Sequence, residues 1–80
     1  MMMKEEEIKE HLMSSSPEFR LLAEEHRHFE RKLQELHGRH HVTEQDHLDE
    51  VAFKKKKLQI KDQMNSMIHR CRIEMSHQHT

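Results

Sequence analysis

Eighty residues with one proline and one glycine leave few places for the chain to turn, because these two residue types interrupt helices most effectively. Both stand where a helix boundary favours them. Pro17 follows Ser14-Ser15-Ser16, where a serine hydroxyl can accept from the first free helical N–H groups and proline suits the first helical position. Gly38 follows the last of a row of apolar residues, where a left-handed C-terminal cap favours glycine. The spacing predicts a first long helix over residues 17–37 and a turn over 38–43. Thr43-Glu44-Gln45-Asp46 then reads as a capping box with Asp in place of Glu, placing two acids in the first turn of a helix. No Gly or Pro follows, so a second helix is predicted over 44–74. Residues 4–13 contain good helix formers with Ile8, Leu12 and Met13 as a small apolar face, which predicts a short N-terminal helix. The polar end, residues 75–80, has little to anchor it and is expected to fray. The expectation is one small all-α domain spanning 1–80.

Composition agrees with solvated helices. Only 32% of the residues are hydrophobic, 36% are charged and the mean hydropathy is -1.13, so a large core is out of reach. Fourteen basic against fifteen acidic residues give a net charge of -1, and no polarised balance announces an anionic or cationic partner. Cys71 is the single cysteine. It cannot close an internal disulfide, which fits a reducing compartment. The start, Met1 to Glu7, lacks the apolar segment of a signal peptide, and no apolar run approaches the roughly 20 residues that span a bilayer. A cytoplasmic protein without membrane association is expected.

The apolar pattern gives the topology. Phe19, Leu22, His26, Phe29, Leu33 and Leu36 alternate at spacings of three and four, which is one stripe on an α-helix. The second helix has two stripes. Leu48, Val51, Ala52 and Leu58 lie on one side; Phe53, Ile60, Met64, Met67 and Cys71, with Lys57 filling a gap, lie well over a quarter turn away. One partner helix cannot cover both. An antiparallel, coiled-coil-like helical hairpin is expected, with Leu48, Val51 and Leu58 joining the first stripe in the hairpin core. Folding about residue 40 places Leu36 near 44–48, Phe29 near 51–53 and Phe19 near 58–62. The Met-rich stripe is then the candidate interface, to be covered either by residues 4–13 or by a second chain, most simply in an antiparallel four-helix dimer.

Several of these residues carry a resemblance. Glu6 and Ile8, then Ser16-Pro17-Glu18-Phe19-Arg20 with Leu22, Glu25 and His26, then Phe29, Leu33, Val42-Thr43-Glu44 and Leu48, and finally Phe53-Lys54-Lys55-Lys56-Lys57-Leu58 with Lys61, Asp62 and Met64, resemble the YdcH-like family of short, uncharacterised bacterial proteins. The resemblance covers about residues 5–70. It implies a cytoplasmic helical hairpin and brings no activity, ligand or cofactor with it. The ten histidines depart from that pattern, His40, His41, His77 and His79 in particular.

The chemistry-bearing residues make weak constellations. Glu25 with His28 and Glu44 with His47 each show the Glu-x-x-His spacing of di-iron bundles. Ten His and twelve Glu make such pairs common by composition, and the two lie far apart along the axis, so no metal site is expected. His37, His40 and His41, with His47, could capture stray zinc or nickel but read as a solvated loop. His26, alone in an apolar stripe, must stay neutral or find an acid. Protonating the histidines is expected to loosen the assembly in weak acid. Lys54 to Lys57, with Lys61, Arg70 and Arg72, invite a nucleic-acid reading, but four consecutive helical residues point four ways and no Tyr or Trp offers a stacking platform. Ser14, Ser15 and Ser16 serve as breakers and caps, and Cys71 as a small hydrophobe. The sequence therefore predicts a non-catalytic helical interaction or scaffolding module without cofactor. Its expected partner is itself, through the Met-rich face, or another protein. The alternatives are a nucleic-acid-associated helix using Lys54 to Lys61, or a histidine-based metal or pH-responsive module.

Overall fold

The computed structural model describes residues 4–77. Three helices make up nearly all of it: α1 (Glu5–Ser15), α2 (Pro17–His37) and α3 (Glu44–His77). Among the described residues no strand occurs.

The boundaries follow from local chemistry. Ser16 is extended (φ -119°, ψ 108°), the conformation that a following proline favours. Its Oγ accepts from the Phe19 N–H at 3.2 Å, which caps α2. The Ser14 and Ser15 hydroxyls donate back to the His11 carbonyl at 2.9 and 2.7 Å, so the serine run serves both sides of the break. At the start of α3 the capping box forms in both directions: Thr43 Oγ1 accepts from the Asp46 N–H at 3.0 Å, and the Thr43 N–H donates to Asp46 Oδ2 at 3.1 Å.

Three features of the boundaries differ from expectation. α1 covers Glu5–Ser15 where 4–13 is expected, so Ser14 and Ser15 are helical and only Ser16 breaks the chain. Gly38 has φ -85° and ψ -4°, a right-handed conformation open to any residue, and its N–H donates to the Gln34 carbonyl at 3.1 Å. The chain leaves α2 by prolonging the right-handed turn, with no left-handed cap. α3 continues through His77, because Cys71 and Met75 still find apolar partners there. Residues 78–80 of the expected frayed tail lie outside the described residues.

α2 lies along α3. Cross-helix neighbours run in opposite chain order: His37 with Glu50, Glu30 with Lys57, and Glu18 and Leu22 beside Gln63, Ser66 and Met67. These partners sit several residues further along α3 than folding about residue 40 predicts. Phe19, expected near 58–62, packs instead with Ile68 and Cys71. Part of the offset comes from the tilt of helical side chains towards their own N-terminus, about one position on each helix. In α2 the tips lean away from the turn, whereas in α3 they lean towards it, so tips meet between residues whose Cα atoms are staggered.

α2 has 21 residues and α3 has 34, and α1 covers the excess. Ile8 and Leu12 from α1 join Phe19, Ile68 and Cys71 in a buried cluster, with Met64, Met67 and Met75 packed against it. Ile8 and Phe19 are the most completely buried large side chains described, at 0% and 1% exposed. Each such burial contributes about 1.5–3 kcal/mol. The molecule is an elongated rod of 58 × 20 × 17 Å.

Candidate interaction face

α3 is apolar on two sides, and the structure turns the Met-rich side inward. Ile60 and Cys71 are buried, and Phe53, Met64 and Met67 are half-buried. The Phe53 ring lies 5.9 Å from that of Phe29, tilted by 43°. α2 covers the first part of this stripe and α1 the last. The side expected in the hairpin core faces out: Leu48 is 65% exposed, Val51 66% and Leu58 60%. The roles of the two stripes are therefore exchanged. The Met-rich stripe contains more large side chains and continues to Met75, so the rotation of α3 that buries it gives both α1 and α2 a contact surface. The opposite rotation would leave α1 facing Asp62, Asn65 and His69.

The α2 residues occupy the expected stripe. Phe19, Leu22, Leu33 and Leu36 are buried, whereas His26 and Phe29 are half-buried. His26 Nδ1 lies 3.8 Å from a Glu30 carboxylate oxygen, and His37 Nε2 lies 3.6 Å from Glu50. Each imidazole thus has an acid beside it.

The lysine run divides by direction. Lys54 lies 2.7 Å from Glu50 one turn earlier, and Lys57 is half-buried, reaching Glu30 on α2 at 3.6 Å while its stem fills the gap in the inward stripe. Lys55, Lys56 and Lys61 are exposed, and among the described residues none makes an ion pair within 4.0 Å. The hydrogen bond and charge of Lys54 hold the Glu50 carboxyl below its ordinary range, with His37 adding to this and partial desolvation opposing it.

A polar lock closes the turn. Asp46 is only 6% exposed; besides its bonds with Thr43 it accepts from Arg39 Nη1 at 2.6 Å. The Thr43 N–H lowers its pKa most, and the Arg39 charge lowers it further against the cost of desolvation. The sequence contained this residue as a cap but gave no sign of its burial, which depends on Arg39 folding over it.

Other candidate chemistry is dispersed. Glu25 and His28 sit on α2, Glu44 and His47 at the turn end of α3, and His40 and His41 are exposed in the connection. Among the described residues no three His, Cys, Asp or Glu side chains converge as a metal would require. Cys71 is buried beside a shallow groove of about 240 Å³ between α1 and α3, lined by His11, Leu12, Met67 and Arg70 among others. No described helix is long and apolar enough to cross a membrane.

Residues 19–68 match the model of a known family, a protein of unknown function. The chain belongs to the DUF465 family. The DUF465 match starts at Phe19 and ends at Ile68, two residues that touch one another's cluster, and it leaves α1 outside. Neither the curated proteins nor the solved structures contain a significant match to the chain.

Proposed function

We propose that this DUF465 protein is a non-catalytic helical interaction module of the cytoplasm, an antiparallel hairpin braced by α1 that docks another protein on the outward face of α3. The reading is carried by one observation: Leu48, Val51 and Leu58, each more than half exposed, stand on a single face of a straight helix. A monomer gains nothing from three large aliphatic groups in water, and contiguous exposed apolar surface marks contact sites. The resemblance to the YdcH-like proteins fits this reading. Self-association through the Met-rich stripe loses its support, since α1 and α2 occupy that stripe.

The test places a photoreactive side chain at Val51 and, in parallel, at Arg31 on the exposed surface of α2, in cells. The expected result is discrete cross-linked protein products from position 51 and none from position 31. Equal products from both, or none from either, would reject the reading.

A second reading has its own observation: Lys55, Lys56 and Lys61 are exposed and make no ion pair among the described residues. They allow contact with nucleic acid along a phosphate backbone. Such binding weakens steeply with salt, so no affinity for duplex DNA or RNA at low salt would remove it.

A further inference from the structure

We infer that α1 is a lid, which opens as one unit over the far end of a hairpin that stays folded beneath it, whatever docks on the outer face of α3. α1 holds to the rest of the molecule through two buried side chains, Ile8 and Leu12, which meet Phe19 of α2 and Ile68 and Cys71 of α3. Among the described residues no side-chain hydrogen bond or ion pair joins α1 to α2 or α3. The α2–α3 pair is held by more. Leu22, Leu33, Leu36 and Ile60 are buried along it, the rings of Phe29 and Phe53 meet, and two ion pairs, His37 with Glu50 and Lys57 with Glu30, cross it.

The connection lets α1 leave with the α2 cap in place. Ser16 is the single residue between the two helices, and its hydroxyl accepts from the Phe19 N–H without using any atom of α1. The other end of α1 is loose: Lys4 at the N-cap makes no side-chain cap bond, and no basic residue stands in the last turn to meet the helix dipole. A helix of 11 residues is too short to persist alone in water. Nor can it run on as an extension of α2, because Pro17 has no N–H to donate and its ring would strike the Met13 carbonyl. A released α1 therefore melts, and its opening is a local unfolding that leaves the hairpin standing.

Opening uncovers one side of Phe19, Ile68 and Cys71, together with the methionines packed beside them. The chain thus has a closed state, in which the far end of the inward stripe is sealed, and an open state, in which it faces water. The DUF465 match runs from Phe19 to Ile68 and leaves α1 outside, so the segment that opens lies beyond the part shared with the family model. Cys71, the single thiol of the chain and only 8% exposed, reports the motion, because α1 must leave before a reagent reaches the sulfur freely.

The experiment labels Cys71 in the full folded chain with iodoacetamide at a series of urea concentrations below the main unfolding transition. Mass spectrometry follows the reaction, and rates are expressed relative to the fully unfolded chain. We expect labelling far faster than global unfolding allows and nearly independent of low urea, the mark of an opening that exposes little surface. Ile8→Ala should raise the rate at least about thirtyfold, the effect of truncating a fully buried aliphatic side chain. Leu36→Ala, at the turn end, should lower the urea midpoint of the hairpin and leave the labelling rate as it is. Hydrogen exchange on the unmodified chain makes the same test without a variant: the hydrogen-bonded amides of α1 should share one low protection, and those of α2 and α3 a higher one.

A labelling rate that follows the global transition in urea, or that Leu36→Ala raises as much as Ile8→Ala does, overturns the inference, since α1 would then unfold only with the hairpin. Equal protection of α1 and α2 in hydrogen exchange overturns it for the same reason. A thiol that reacts in the folded chain at the unfolded rate, with Ile8→Ala changing nothing, also overturns it, because α1 would not cover the sulfur.

Discussion

The two ends of the α2–α3 pair are closed by different chemistry. Far from the turn, Ile8, Leu12, Phe19, Ile68 and Cys71 pack together in a buried apolar cluster. At the turn, the closing contacts centre on Asp46, which receives the Thr43 N–H and the Arg39 guanidinium and stays almost fully covered. The apolar end depends on volume. The turn end depends on hydrogen-bond direction and charge. Burial of a carboxylate is tolerable only because its oxygens have donors, whereas Phe19 needs nothing beyond contact. A small chain with little apolar material thus adds a polar closure at the turn, beside the buried Leu33 and Leu36, to the larger apolar cluster at the far end.

The largest effect is expected at the apolar end. Phe19→Ala should cost about 3–5 kcal/mol, read as a shift in urea midpoint by circular dichroism; a loss below about 1 kcal/mol would mean that the cluster does not hold α1 and α2 on α3. At the turn, Thr43→Ala removes one half of the capping box and should cost about 1 kcal/mol, clearly less than Phe19→Ala in the same denaturation assay.

Acid should act on the turn end through two carboxylates. Asp46 and Glu50 have folded pKa values below their ordinary ones, so their stabilisation is fully present above the ordinary carboxylate range and is lost as pH falls through the lowered folded values. Thermal melts should therefore decline at the turn end only in that acid limb. Asp46→Asn should flatten part of the decline, and an unchanged limb in the variant would remove Asp46 from the account.

The smaller effects sharpen the picture. Gly38→Ala should stabilise by about 0.4–1 kcal/mol, because φ is -85° and an added Cβ meets only ordinary contacts, 3.5 Å to the Gln34 carbonyl oxygen. A left-handed Gly38 would give the opposite sign in a thermal melt. Smallest of all, V51S/L58S should change stability by no more than about 0.5 kcal/mol, since both side chains are already in water. A larger loss in urea denaturation would place them in the core after all.

Much of the fold was legible because its signals are local. Ser16-Pro17 ends one helix and starts the next through a single extended residue and one hydroxyl, and Thr43 with Asp46 starts α3 through bonds only three residues apart. The stripe from Phe19 to Leu36 could be read because α2 is apolar on one side only. The candidate interaction face was not legible in the same way. Leu48, Val51 and Leu58 have the same periodicity as a buried stripe, and periodicity records which residues share a face without recording which face meets a neighbour.

Local signals in the sequence determine where α2 begins and ends and where α3 begins, that α3 carries two apolar stripes, and that one partner helix cannot cover both. The tertiary structure alone decided the rotation of α3. That choice is made by the total apolar contact available to α1 and α2 together, which favours Phe53 through Met75, and it is the reason Leu48, Val51 and Leu58 are left to face the solvent.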